Sequence, residues 1–401
     1  MRRGRNCNYF LFMSIQTDTA TIELKEKVLS VLLKQGYTLD GNGFVLENNS
    51  RENRRDVHLT AKAERMCENE DFIEKNLLTI KKYLVSGCDI EIDKIQPEII
   101  EVVEGSLYEK IFKWWNLVWW SLPYERAYGR QMRFVIWDKY HNAPIGLIGL
   151  QSPILNWSVR DKKLGIPKDQ LDYWVNQSMS AQRLGALPPY NYLLGGKLVA
   201  SLMTTDVIRD LFTKKYAGKQ TILKKREIPA RLLFFTTTGA YGKSSVYNKI
   251  KINEDIVSKF IGYTQGSGSF HIPNSLFDDF IKYLSDKEFN VKRGYGTGPS
   301  TKMRLINKAM GLLGFSKGSA HGVRRAIYLF PLATNLENVI QKNEEPLWIA
   351  RNVESVTDYW KVKWATPRSE KRKEYLDFFK DKFINDTIEE LKKYKIQSLI
   401  K

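Results

Sequence analysis

Residues 132–150 constrain this chain more than any other stretch. Met132-Arg-Phe-Val-Ile-Trp137 is β-branched and aromatic, Asp138-Lys-Tyr-His-Asn142 is a polar turn, and Ala143–Leu150 returns as a second apolar run. Two such runs joined by turn residues read as a β-hairpin. Gly146 and Gly149 in the returning strand mark a bulge or a close approach by backbone or ligand. Met179–Leu187 is a further strand, stopped by Pro188-Pro189. After the loop Tyr190–Leu194, Gly195-Gly196 opens a helix predicted to run from Lys197 to about Tyr216, with Lys214 and Lys215 at the end that favours cations. Arg231–Thr238 is β-rich, Ser244–Ile250 reads as a short helix and Phe260–Thr264 as a short strand. Ser275–Leu284 and Lys302–Leu313 read as helices, and Arg325–Leu332 as a closing strand. The pattern predicts an α/β (α+β) fold with a mixed sheet.

The flanks read differently. In residues 14–113, Leu24, Val28, Val31 and Leu32 recur at helical spacing and Gly36 supplies a stop. Further helical pattern covers Asp56–Lys75, Leu77–Leu84 and Pro97–Lys113, while Asp89–Asp93 alternates like a short edge strand or extended linker. Trp114, Trp115, Trp119 and Trp120 point to more than one side of a helix. They are expected to wedge between two units, with a stacking platform for bases as the alternative. In the charged tail, Ile384, Ile388 and Leu391 form a narrow apolar stripe suited to docking. The expected division is a helical N-terminal region (14–113), a core with a basic insertion (114–336) and a helical C-terminal tail (337–401).

Aromatic residues at 12% of 401 exclude disorder for most of the chain. Cys7, Cys67 and Cys88 include no close pair, which rules out a disulfide framework and suits a reducing compartment. The apolar stretch Tyr9–Met13 is shorter than a signal-peptide core, and no run reaches membrane-helix length. A soluble cytoplasmic protein is the expectation. His58, His141, His271 and His321 show no zinc-ligand spacing with each other or with the cysteines. Tyr263–Gly268 and Tyr295–Gly298 lack the Lys-Ser/Thr ending of a nucleotide-binding loop.

The net charge of +18 is concentrated. Residues 211–253 carry +9 with Glu227 as their one acid, and residues 289–336 carry +8 with none. Ordinary wet surfaces mix signs, so this segregation points to a phosphate-rich partner, DNA or RNA. The candidate contacts are Lys224, Lys225, Arg226, Lys243, Arg293, Lys302, Arg304, Lys317, His321, Arg324 and Arg325. The expectation is that both stretches fold into one continuous cationic face. Lys302, Arg304 and Lys308 fall within about two turns of one helix, and His321 could sense or donate to a phosphate. Glycines 294, 296, 298, 311, 314, 318 and 322 allow close backbone approach, or simply punctuate turns. A nuclease would need acids clustered around Mg²⁺, and Glu125, Asp138 and Asp161 are the acids considered. Asp138 reads as a turn residue, and Asp161-Lys162-Lys163 is a triplet that arises by chance. No catalytic residue is assigned.

The order hairpin, strand, proline-broken loop, Gly-Gly, helix, strand, small helix, short strand resembles the N-acetyltransferase superfamily. That resemblance implies an acetyl-CoA-like cofactor whose pyrophosphate lies at Gly195, Gly196 and Lys197. Tyr247 then falls where such enzymes keep a proton-donating tyrosine, though packing is its plainer role. Placing Gly195 at the first glycine of the superfamily loop puts Lys197 at a position normally small, where it would crowd the pyrophosphate. A closer resemblance is carried by Tyr128–Asp138, Leu147–Leu150, Arg160-Asp161, Leu184–Leu198 and His321–Arg325 followed by Tyr328. These blocks are similar to the DruA family of Druantia anti-phage defence systems over roughly residues 20–335. That similarity implies one subunit of a multi-protein antiviral system whose partners include a helicase-like protein. The functional expectation is a nucleic-acid-binding component of such a system. The alternative is an acyltransferase-like enzyme that modifies a nucleobase or protein.

Overall fold

The computed structural model describes residues 19–46, 50–120, 129–221, 224–248, 250–292, 300–316 and 318–399. Its centre is a seven-stranded mixed sheet. In chain order the strands are β1 (Pro97–Glu101), β2 (Gln131–Asp138), β3 (Ala143–Gln151), β4 (Ser178–Ala186), β5 (Phe234–Thr238), β6 (Lys259–Tyr263) and β7 (Ala326–Pro331). In space they run β1-β2-β3-β4-β5-β7-β6. All neighbours pair antiparallel except β4 and β5, which are parallel over Ser178–Ala181 and Phe234–Thr237. A parallel step requires a crossover, here made by the helices α4 (Gly195–Leu202) and α5 (Asp206–Tyr216). The expected hairpin is β2 and β3. The stretch Asp89–Asp93, expected as an edge strand or extended linker, is extended at Ile90 and Glu91 between two 3₁₀ turns, and the edge is Pro97–Glu101, read from sequence as helix. Pro97 opens it, and an edge strand tolerates the missing N–H there.

Alternate residues of the hairpin feed two different cores, as the pleat demands. Phe134, Ile136 and Ile148 join α4, α5 and Trp360 on one face. Val135, Trp137 and Leu147 pack on the other, against α2 (Arg51–Glu68), α3 (Leu107–Val118) and α8 (Lys380–Leu399). There Trp115 stacks on Phe383 at 5.3 Å, and Ile384 and Leu391 are buried, so the tryptophan run wedges between the sheet and the tail helix. A separate core joins α1 (Thr19–Lys34) and a hairpin at Tyr37–Leu46 to α6 (Asn274–Asp286) and α7 (Thr301–Leu312). The first described helix therefore packs with residues more than two hundred positions later.

Two further helix expectations differ from what forms. The helix after Gly195-Gly196 breaks at Met203–Thr205, where the Thr204 and Thr205 hydroxyls donate to Ser201 O and Leu202 O and compete with the backbone ladder. Residues 245–248 are turns rather than a short helix. No helix among the described residues is long and apolar enough to cross a membrane.

Candidate nucleic-acid interface

The antiparallel register Ile327↔Thr238 brings the end of β5 beside the start of β7. The turn Gly239–Lys243 and the pair Arg324-Arg325 thereby meet at one end of the sheet. Gly239 N donates to Ala326 O at 2.9 Å, and Ala326 N donates to Gly242 O at 3.1 Å. Gly242 has φ +105, and a Cβ there would lie 2.8 Å from the Arg54 guanidinium, which itself donates to Tyr241 O at 2.6 Å. Only glycine allows this turn with Arg54 laid across it. Thr264 N donates to Arg325 O and Arg325 N to Thr264 Oγ1, which tie the arginine pair to the end of β6. Lys243 and Arg324 are exposed, and no carboxylate pairs with either among the described residues.

Strand β6 carries a bulge between Phe260 and Gly262. Phe260 faces Tyr328 and Tyr263 faces Ala326, two residues apart on β7, so the extra residue Ile261 puts both aromatic rings on one face. Their centroids are 5.1 Å apart in an edge-to-face pair, and they remain 41% and 39% exposed. Lys243 Nζ lies 5.9 Å from the Phe260 centroid, and Arg324 Cζ lies 5.6 Å from that of Tyr263.

Behind this surface, His58, His271 and His321 share one buried cluster with Phe270 and Tyr241. Phe270 lies 4.4 Å from the His321 ring, and His271 lies 5.8 Å from it, centroid to centroid. His321 is fully buried, which corrects the expectation that it meets a phosphate: its Nδ1 accepts from Val323 N at 3.1 Å. Burial pushes His58 down to about 3, His271 to about 4 and His321 to about 3. Arg325 beside His58 and His321, and Lys302 beside His271, push the same way.

The described residues do not form the expected single cationic face. Lys224 and Arg226 both bind the carboxylate of Asp172, Lys224 at 3.0 Å, at the opposite end of β5 from Lys243. Lys225 beside them is exposed. Lys215 pairs with Glu101 at 2.7 Å and Arg231 with Glu345 at 3.6 Å, so carboxylates from distant segments pair with four cations of the first stretch. On α7, Lys302 donates to Asn274 Oδ1, Arg304 to Asn290 O, and Lys308 lies 4.3 Å from the Phe289 ring centre. Arg293, Lys317, Glu125 and the Tyr295–Gly298 motif lie outside the described residues.

Beyond Ala181, β4 loses β5 as a neighbour, and the gap holds a cavity of about 280 Å³ lined by Trp119, Trp120, Gly196, Lys197 and Tyr247 among others. Two side chains of its wall are tied to backbone across it. Lys197 Nζ donates to Ser245 O at 3.2 Å, and the Tyr247 hydroxyl donates to Leu184 O. A Cβ on Gly196 would lie 2.9 Å from Val246 Cγ1. Val246 thus stands against Gly196 and Ser245 O holds Lys197, while Gly195 packs against Tyr190 O and Ala186 Cβ, contacts that the pyrophosphate of an acetyl-CoA-like cofactor at these residues would have to displace.

Asp138 and Asp161 are both held in hydrogen-bond networks of the fold. Asp161 accepts from Arg160 Nε at 2.7 Å and from Trp157 N at 2.8 Å, while the buried Arg160 also donates to Ile154 O and Leu155 O. Asp138 is fully buried and accepts from Gln96 N, Tyr140 N, Tyr190 and His141. No group of three or more His, Cys, Asp or Glu among the described residues is arranged to hold a metal ion. Sequence reasoning missed Phe260 and Tyr263. Their only signal was aromatic residues three apart in a short strand, where alternation puts them on opposite faces unless a bulge intervenes.

A family model described as Druantia protein DruA matches residues 48–342. A Druantia protein DruA from Escherichia coli (strain UMEA 4076-1) is 34% identical over 359 residues, covering 88% of this chain and 89% of that protein. No solved structure matches.

Proposed function

Because this chain belongs to the Druantia protein DruA family, a component of the Druantia anti-phage system, we propose that it contacts nucleic acid through the compact cationic end of its sheet. The observation that carries this reading is the exposed pair Lys243 and Arg324, held together by the β5–β7 register with no carboxylate on either among the described residues. An unneutralised cation pair beside Arg325 and Arg54 attracts phosphates in succession. Other Druantia subunits, a helicase-like protein among them, are the expected assembly partners, and the chain works in the cytoplasm in this reading. Lys224 and Arg226 are left out of the proposed contact surface because they share Asp172 at the far end of β5 from Lys243.

The test is a mobility-shift salt series on DNA and RNA with Lys243→Glu and Arg324→Glu combined. Affinity is expected to fall at least about tenfold at low salt, and the log–log salt slope to drop by about 2. Unchanged affinity and slope in a folded variant defeat the reading. Lys224→Glu serves as the comparison and is expected to leave binding unchanged.

Acyl transfer, the alternative drawn from the sequence, requires Ser245 and Val246 to release Lys197 and Gly196. Acetyl-CoA is therefore expected to leave the melting temperature unchanged. A saturable rise would restore that alternative by mass action.

A further inference from the structure

We infer that the Phe260–Tyr263 pair is a stacking platform for unpaired bases, so that the strand bound at this surface is single-stranded nucleic acid. The inference rests on the cationic reading above and adds the kind of nucleic acid to it. Aromatic side chains in a soluble core are covered, and those at an ordinary surface are scattered. Here two rings sit 5.1 Å apart on the sheet's outermost strand with about two-fifths of each exposed. The bulge at Ile261 is what aims both to the same side. Each ring has its own exposed cation, Lys243 for Phe260 and Arg324 for Tyr263.

Charge complementarity chooses the occupant. An apolar peptide would leave Lys243 and Arg324 unmatched, and a duplex presents phosphates but keeps its base faces stacked inside. A single strand offers both parts: bases with free π-faces for the rings and phosphates for the flanking cations. Stacking of this kind tolerates any base, so little sequence preference is expected, along with strong salt dependence.

The experiment uses the full chain and labelled twenty-nucleotide single strands of mixed sequence, one DNA and one RNA, beside the matching DNA duplex. Phe260→Leu with Tyr263→Leu keeps apolar bulk and removes the π-faces. It is expected to weaken single-strand binding at least about tenfold while duplex affinity and salt slope stay as in the wild type. Phe260→Trp with Tyr263→Trp is expected to retain single-strand binding. A preference for DNA over RNA or the reverse supports the platform and identifies the sugar it prefers. Equal single-strand affinity in wild type and the Leu variant overturns the inference while leaving the cationic reading intact. Loss of all binding only in Lys243→Glu with Arg324→Glu would support that reading alone. Absence of binding by the wild type to every probe overturns both. A measurement on the wild type keeps the proposal falsifiable should the Leu variant not fold. Single strands carrying 5-iodouracil are expected to photocrosslink within residues 259–263, and adducts found only elsewhere overturn it.

Discussion

Acidification from pH 7.5 to pH 5 is expected to remove a large part of the folding stability, because three of the protein's four histidines are buried and neutral in one cluster. Burial, with Arg325 and Lys302 nearby, holds His58, His271 and His321 at about 3, 4 and 3. In the unfolded chain each titrates near its ordinary value of about 6.5. The unfolded state therefore binds more protons throughout the interval between those values. The stabilising effect is full above about pH 6.5 and is lost progressively as the pH falls toward about 3. At pH 5 the loss amounts to about 2 kcal/mol for each histidine, a serious fraction of the roughly 5–15 kcal/mol that holds a folded protein together. The element released first should be the core of α1, α6 and α7, since Val323 and Ile272 adjoin His321 and His271 in the chain and belong to it. Denaturant unfolding across the pH range measures this directly. His58 gives a control, because neither of its ring nitrogens has a hydrogen-bond partner among the described residues. His58→Phe is expected to lower the acid slope by about one proton without costing a hydrogen bond. A flat stability profile between pH 7.5 and pH 5 would mean that the cluster is open to water.

Asp138→Ala is expected to cost about 3–5 kcal/mol, the range found when one partner of a buried charged network is removed. Oδ1 accepts from Gln96 N at 2.9 Å and Tyr140 N at 3.2 Å, and Oδ2 accepts from the Tyr190 hydroxyl at 2.9 Å and from His141 Nδ1 at 2.6 Å. One carboxylate thus ties the start of β1, the β2–β3 turn and the loop that leads into α4. Burial alone would raise its pKa, but the bonds from His141, Gln96 N–H and Tyr190 outweigh that and hold it below the usual carboxylate range. Its stabilising effect is therefore present above about pH 4 and lost only at lower pH, beneath most of the histidine interval. Asp138→Asn keeps an acceptor for the two backbone N–H groups and turns an amide toward Tyr190. It should cost less, about 1–2 kcal/mol. Chemical denaturation at neutral pH orders the three proteins, and equal stability of wild type and the Ala variant would contradict the network described here.

The strands of the sheet were legible in sequence wherever length and residue type agreed. β2 and β3 are long, β-branched and separated by turn chemistry, and β5 and β7 are short apolar runs closed by glycine or proline. Pro97–Glu101 was misread because a five-residue edge strand beside a genuine helix offers too few residues to separate periods of two and 3.6. The tail stripe of Ile384, Ile388 and Leu391 was read correctly as a docking face, since a narrow apolar seam on a charged helix has no other use. Asp138 was read as a turn residue because a carboxylate at a hairpin end normally faces water. Nothing local indicates that Tyr190, fifty-two residues later, will cover it.

Composition and pattern alone determined that this chain has a mixed α/β core, that its positive charge is segregated, and that its blocks are those of one family. Tertiary structure decided which of the cations remain available. Asp172, Glu101 and Glu345 reach Lys224, Arg226, Lys215 and Arg231 from remote parts of the chain, and His321 turns inward against Phe270. The physical reason is that charge and residue type are local properties, whereas pairing and burial depend on which distant segments the fold brings together. A single-residue bulge has the same character: it sets the face of two aromatic rings, and its presence depends on the partner strand.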